Sequence, residues 1–463
     1  MKFGRRRRRR RLPLLFLSAA LSLFLPYQHV RAQIVDPPDT SPQTAQAPEA
    51  CITPDSGIPP SVNQVKALIL VGRLDEASRA LDCIVITPEN ETDVRFLRGH
   101  IAEARGDFTT AIDEYREILL KRPNLTRVRL ELARLLFLTK DDAASRHNFE
   151  LVLGADIPQA VRDNVMRFLA AIRQRQTVQT ELSLGIVPDS NINTATRQSE
   201  IILFDLPFRL SDDATQQSGV GASVRGAVML RQPLTDEYGL EAGVGVQRIE
   251  HSGDRFDDMR VNAFAGLRRN YTDLDIGARA IFSHQWFGGM PISHSVGAEL
   301  DVGGWIRPRL ETRLFIGGEV RNYDESDFLD GFLVSISGLA RYSLSPVSLA
   351  DALIGVAREQ TDDPGFSNTQ PFIGARYFQA LPMGISVSAG PLIGFRNFDE
   401  PIAAFGKTRR DVVLQFKTEI VLRKNVAFGF APMFSYTYTY NRSNIDLFEY
   451  KRHLFELGLT KLF

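Results

Sequence analysis

Side chains able to do acid–base, nucleophilic or metal chemistry are present in this chain, but their spacing assembles no reaction centre. The seven histidines are scattered. No two stand at the i, i+4 spacing with which a helix offers zinc a pair of ligands. The glycine pairs Gly288-Gly289, Gly303-Gly304 and Gly317-Gly318 read as strand or loop glycines, not as a phosphate cradle. No metal, no cofactor and no enzymatic activity are therefore expected. The charged residues instead show alternation. Arg225, Arg231, Glu299, Asp301, Arg313, Glu319, Lys417 and Glu419 fall on one parity of strand-like runs whose other parity is apolar. Both signs are mixed on that parity. This fits a solvated lumen better than an ion-selective pore, which would show a ring of one sign.

The elements that position these charges are β-strands. In Val426–Tyr440, every second residue except Pro432 is Val, Phe or Tyr, and most of the intervening ones are Ala, Gly, Ser or Thr. The neighbouring run places Val412, Leu414, Phe416, Thr418, Ile420 and Leu422 on one face, with Gln415, Lys417, Glu419 and Arg423 on the other. A period of two is the signature of a strand between two environments. Fourteen such runs are expected between Gln179 and Phe463. Tight connections at Thr235-Asp236, Tyr271-Thr272-Asp273, Arg307-Pro308, Ser345-Pro346, Pro382-Met383 and Lys424-Asn425 alternate with longer polar ones, such as Pro188–Ser218, Asn397–Thr408 and Asn441–Phe448. Short turns on one side and long loops on the other describe an outer-membrane barrel with both ends in the periplasm. The chain stops in mid-alternation at Phe463, with Lys461 breaking an otherwise apolar parity. The lumen parity reads as poor in aromatics.

The N-terminal part carries the address. Lys2 and Arg5–Arg11 precede an apolar run, Leu12–Leu25, and Val30-Arg31-Ala32 offers small residues for cleavage. Residues 1–32 read as a secretory signal, because the apolar run is shorter than the ~20 residues a spanning helix needs. Nine of the 55 basic residues lie in this leader, leaving 46 against 55 acidic ones. That balance argues against a nucleic-acid partner. Residues 33–60, rich in Pro, Thr, Gln and Ala, read as a linker. Cys51 and Cys83 are a candidate disulfide in an oxidising compartment; two independent thiols are the alternative.

Residues 61–176 repeat with a helical period. Gly72, Gly106 and Lys140 stand 34 residues apart, as do Ala77, Ala111 and Ser145. Gly99, Gly106, Ala111, Tyr115 and Pro123 fall where a tetratricopeptide repeat needs small, turn, small, aromatic and helix-ending residues. The expected fold is thus a tetratricopeptide-type helical solenoid at 61–176, followed by a 14-stranded antiparallel outer-membrane β-barrel at 177–463. A helix from Pro158 to about Gln176 is expected to cap the solenoid and lead into the barrel.

Where the two parts join, the sequence reads Arg162-Asp163-Asn164-Val165, then Phe168-Leu169, then Pro188-Asp189-Ser190-Asn191-Ile192-Asn193. This block, with the order of signal, helical repeats and barrel, resembles the surface lipoprotein assembly modulator (Slam) family, the outer-membrane translocon of type XI secretion. The resemblance implies export of specific client proteins, surface lipoproteins or soluble ligand-binding proteins with a small C-terminal β-barrel. It implies a docking role for the repeats. Further implied partners are the lipid bilayer, the outer-membrane assembly machinery and a periplasmic chaperone. The Pro188–Asn193 block reads either as a functional segment at the start of the barrel or as a turn that closes it. An exopolysaccharide exporter and a general porin share the architecture and are the competing readings.

Overall fold

The computed structural model describes residues 60–175, 178–235, 237–253, 255–271, 274–423 and 429–462. The expected leader and nearly all of the linker lie outside the described residues, as do Cys51, Asp236, Thr272-Asp273, Lys424-Asn425, Val426–Phe428 and Phe463.

Among the described residues, helices come first: α1 (Val62–Leu70), α2 (Leu74–Asp82), α3 (Glu91–Ala104), α4 (Phe108–Lys121), α5 (Thr126–Leu138), α6 (Asp142–Leu153) and α7 (Gln159–Arg175). The first six form three hairpins in the register of the repeat. Gly72 and Gly106 turn their hairpins at φ +75° and +81°, with open space where a Cβ would stand. Lys140 makes the third turn at φ 64°. Gly99 lets α3 and α4 cross closely, since a Cβ there would lie 2.6 Å from the Tyr115 ring. Ala77, Ala111, Tyr115 and Ser145 are fully buried between the helices. The chain turns from α4 into α5 at Pro123, whose carbonyl accepts a 2.5 Å bond from Arg129. Cys83, at the C-cap of α2, is in the disulfide-bonded form.

The strands follow in two groups. The first is β1 (Val178–Asp189), β2 (Glu200–Leu203), β3 (Leu206–Arg209), β4 (Gly219–Pro233), β5 (Tyr238–His251), β6 (Asp258–Asn270), β7 (Leu274–Phe287), β8 (Met290–Arg307) and β9 (Leu310–Tyr323). The second is β10 (Gly331–Ser345), β11 (Ser348–Thr361), β12 (Asn368–Ala380), β13 (Ile385–Ile402), β14 (Lys407–Leu422), β15 (Ala431–Ser443) and β16 (Tyr450–Leu462). All but β2 and β3 form one closed antiparallel barrel of fourteen strands, in which β1 pairs with β4 and with β16. Alternation then sorts the side chains. Leu414 and Phe416 point outward, 38% and 41% exposed, while Lys417 and Glu419 point inward and pair at 3.4 Å.

Three expectations are corrected. The run expected over Val426–Tyr440 is strand from Ala431 to Ser443, because Asn441–Ser443 continue the ladder onto Val413–Asp411. The loop expected over Asn397–Thr408 is largely strand, with Pro401 and Ile402 paired to Thr408 and Lys407 around a turn at Gly406. The loop expected over Pro188–Ser218 begins two residues later than drawn and holds the β2–β3 hairpin. That hairpin turns through Phe204 and Asp205 at φ 50° and 60°. Its turn carries none of the Asn-Gly or Gly-Gly signals that normally betray such a turn.

An L-residue in the left-handed region costs about 1 kcal/mol or more. Lys140→Gly is therefore expected to stabilise the helical part by ~1 kcal/mol, read as a higher midpoint for loss of helical circular dichroism.

Candidate functional site

Closing a barrel requires its first and last strands to meet, and here the Pro188–Asn193 block completes that seam. The β1–β16 ladder runs from Glu181↔Leu462 to Ile186↔Leu457, skips Val187 and Pro188, and resumes at Asp189↔Leu454. Pro188 has no N–H to give the ladder. Side chains of the block fasten the end of the seam instead. The buried Asp189 carboxylate accepts from Arg452 at 2.6 and 2.8 Å. Ser190 donates its backbone N–H to the His453 carbonyl (3.0 Å), and its hydroxyl accepts from the His453 N–H (2.8 Å). Asn191, fully buried, donates to the carbonyls of Ala195 and Lys451. Asn193 donates to the carbonyls of Asp213 and Thr215 and accepts from Gln217 N–H. The Ile192 backbone bonds Gln217, and its side chain rests on Gly219. These contacts make the block a turn that locks the last strand to the first loop.

That first loop roofs the far mouth of the barrel. Ile201, Leu203 and Leu210 pack with Ile402 at the end of β13 and with Phe366, Phe405, Ile445, Leu447 and Phe448 of three other loops. Phe204 donates its N–H to the Ala404 carbonyl. On the opposite side Asp213 pairs with Arg255 of the β5–β6 connection at 2.5 Å. The roof therefore reaches from one wall to the other.

The near mouth, on the side of the chain ends, is occupied by α6. Every one of its residues from Phe149 to Leu153 is buried. Leu151 packs on Leu349 and Phe378 of β11 and β12, and His147 meets the Phe378 ring edge-on. Phe149, Val152 and Leu153, with Val165, Leu169 and Ile172 of α7, enclose Trp305 of β8. Gly154 touches the β10–β11 turn so closely that a Cβ would fall 2.5 Å from the Ser345 backbone. Ion pairs fix the seat. Arg146 reaches Glu311 (3.1 Å) and Glu150 (2.7 Å), Glu150 faces Arg341 at 3.7 Å, and Arg309 donates to the Ala155 carbonyl. Burial lowers the affinity of Arg146 for its proton, but Glu311 and Glu150 more than reverse this and hold it above the usual arginine range. Burial and the nearby Arg423 push the Arg129 guanidinium down to about 10. The sequence signalled α7 as a cap, but nothing in it marked α6 as the helix that enters the mouth.

All eight lumen charges singled out in the sequence line the interior, and each has an opposite partner. Arg225 faces Glu456, Arg231 faces Glu241, and Arg279 pairs with Glu299. Arg268 gathers Glu241, Asp275 and Asp301, and Arg313 bridges the last two. Glu319 pairs with Arg321, which also reaches Glu359. Sequence reasoning missed Arg268 and Asp275, the centre of that network. The lumen is also richer in aromatics than expected. Phe315, Phe372 and Phe378 face inward and are buried, Phe378 beneath α6.

Comparison with known proteins places the chain. The model of the surface lipoprotein assembly modifier family matches residues 179–463, and that of the family's N-terminal tetratricopeptide repeats matches 87–149. The chain belongs to the surface lipoprotein assembly modifier family. Relatives include the hemophilin secretion modulator of Acinetobacter baumannii, 23% identical, covering 80% of this chain and 78% of that one. The surface lipoprotein assembly modifier of Moraxella catarrhalis is 22% identical over 78% and 71%. Surface lipoprotein assembly modifier 1 of Neisseria meningitidis serogroup B is 23% identical, but the match spans only 47% of this chain and 43% of that protein. Likeness to solved structures is slight; a Pseudomonas aeruginosa FadL homologue overlaps at a TM-score of 0.39 and 9% identity, over 64% and 91% of the two chains. The protein is an outer-membrane barrel with its helical domain in the periplasm, so α6 fills the periplasmic mouth and the roof faces outside.

Removing one partner of a buried ion pair costs about 3–5 kcal/mol. Asp189→Ala is expected to lower sharply the temperature at which the barrel's heat-modifiable gel band converts to the unfolded form. At the other mouth, Arg146→Gln with Glu150→Gln is expected to loosen α6 from its seat, read as faster thiol labelling of Leu349→Cys, a position that α6 covers.

Proposed function

We propose that this protein is a translocon carrying specific client proteins from the periplasm across the outer membrane, with the helical repeats as the docking domain. The observation that carries this reading is the placement of α6. The last hairpin of a solenoid, a fold suited to holding a protein chain, is seated in the periplasmic mouth by ion pairs together with apolar contacts to Trp305, Leu349 and Phe378. A client bound to the solenoid would thus stand at the mouth, and its binding would compete with the contacts that keep the mouth shut. The expected client is a surface lipoprotein or a soluble ligand-binding protein bearing a small C-terminal β-barrel. A periplasmic chaperone would deliver it, and the outer-membrane assembly machinery would insert the translocon itself. The protein would do no chemistry on its cargo.

A polysaccharide exporter would call for open aromatic rings along the lumen, whereas Phe315, Phe372 and Phe378 are buried and the half-buried Phe264 lies beneath Arg279. A general porin would keep a clear passage, whereas paired charges and capped mouths occupy this one.

Two measurements check the proposal. Deleting the gene should strip the exported protein encoded beside it from the cell surface, read by protease accessibility on intact cells; undiminished exposure rules the translocon out. Joining Arg146→Cys to Glu311→Cys with a short bis-maleimide should stop export while each single variant still exports. Export through the joined protein would show that α6 stays in place during passage.

A further inference from the structure

We propose that the outer rim of β14–β16 binds the phosphorylated glycolipid of the outer leaflet through Arg410, Arg442 and Lys451. These side chains share the lipid-facing parity of their strands with Leu414, Tyr440 and Phe455, and all three are exposed. The ladder sets their spacing. Tyr440 stands opposite Leu414 and Lys451, and Val412 opposite Arg442. Arg410 lies one step beyond, joined through its backbone to Asn444. Arg442 is thus the diagonal neighbour of both other cations, at the ~7–8 Å typical of such pairs.

Three cations this close repel one another unless an anion lies between them. Among the described residues none of the three has a carboxylate partner, and Glu449, which precedes β16, joins no ion pair either. Elsewhere on the outer rim the contrast is plain. Arg248 is neutralised by Glu250 and Asp257, and Arg358 by Asp399. At the outer ends of β14–β16 the charge is left for something outside the chain.

The surroundings identify that partner. Directly beneath the cations lies a belt of Tyr436, Tyr438, Tyr440 and Phe455, with the Lys451 ammonium 4.9 Å from the Tyr440 ring and the Tyr436 hydroxyl 2.9 Å from His453 Nδ1. Tyrosine rings sit at the boundary between acyl chains and headgroups. A ligand spanning both zones must carry acyl chains below and anionic groups above. Guanidinium groups match phosphate oxygens in pairs. A phosphorylated glucosamine lipid meets both demands, whereas free phosphate would leave the belt unused. The lipid would lie beside the strand whose backbone at Lys451 and His453 receives the Ser190 and Asn191 bonds, and so buttress the seam from the membrane side.

The test uses the full-length protein in nanodiscs, with lipid A bearing both phosphates, lipid A stripped of them, and inorganic pyrophosphate as probes. The unaltered protein is expected to hold the phosphorylated lipid at least ~tenfold tighter than R410Q/R442Q/K451Q does. The dephosphorylated lipid should bind both weakly, and R248Q/R358Q should bind as the unaltered protein does. Heat-modifiable migration verifies that each variant is folded; should the triple variant not fold, R442Q alone must show weaker binding of the phosphorylated lipid. Equal affinity of the folded variant, equal affinity for the dephosphorylated lipid, or pyrophosphate binding as tight as that of lipid A would each overturn the proposal.

Discussion

A backbone amide without a partner in hydrocarbon costs several kcal/mol, so a sheet that crosses the bilayer must close on itself. In this protein the closure is made between strands far apart in sequence, β1 and β16, and among the described residues it is the junction of the wall with the fewest paired residues. Pro188 interrupts it, and the neighbouring Gly185 and Gly458 stand directly opposite each other. What completes it is side-chain chemistry: one buried carboxylate, one hydroxyl and one amide from consecutive residues, each bonded to β16. The same few residues launch the loop that roofs the outer mouth. Closure of the wall and closure of the mouth are therefore linked through Asp189–Asn193.

The interior follows from the same constraint. Once apolar faces are committed to lipid, the opposite parity must accommodate whatever the strands carry, and here it carries charge. Burying unpaired charge is prohibitive, so opposite signs are interleaved around Arg268 and Arg313. The periplasmic seat of α6 adds a further set of pairs through Glu150 and Arg146. Polar contacts of this kind suit a part that must leave and return. Water and a client can replace them at modest net cost, and the client must also cover the apolar contacts that α6 makes with Trp305, Leu349 and Phe378.

Much of this was legible in the sequence, for physical reasons. Alternation over long strands is enforced by two very different solvents, which is why Lys417 against Phe416 could be sorted by parity alone. The repeat was equally plain, because Gly72, Gly106 and Ala111 answer to local geometry. The β2–β3 hairpin was not legible: its turn uses Phe204 and Asp205, and its order comes from burying Ile201 and Leu203 against distant loops. Nor was the insertion of α6. Its sequence resembles that of any amphipathic repeat helix, and only the barrel rim supplies Leu349, Phe378 and Glu311. Arg268 escaped notice because a strand carrying adjacent arginines, Arg268 and Arg269, does not reveal which one faces its partners. The Pro188–Asn193 block stood out as a motif, yet its role depended on contacts with residues some 260 positions away.

The claim that a client travels through the interior can be tested by photo-crosslinking during export. A photoreactive residue would be placed in turn at inward positions (Arg225, Lys417, Glu419) and at outward ones (Leu414, Phe416, Val224). The account predicts crosslinks to the passing client from the inward set and none from the outward set. Crosslinks confined to the outward set would contradict it.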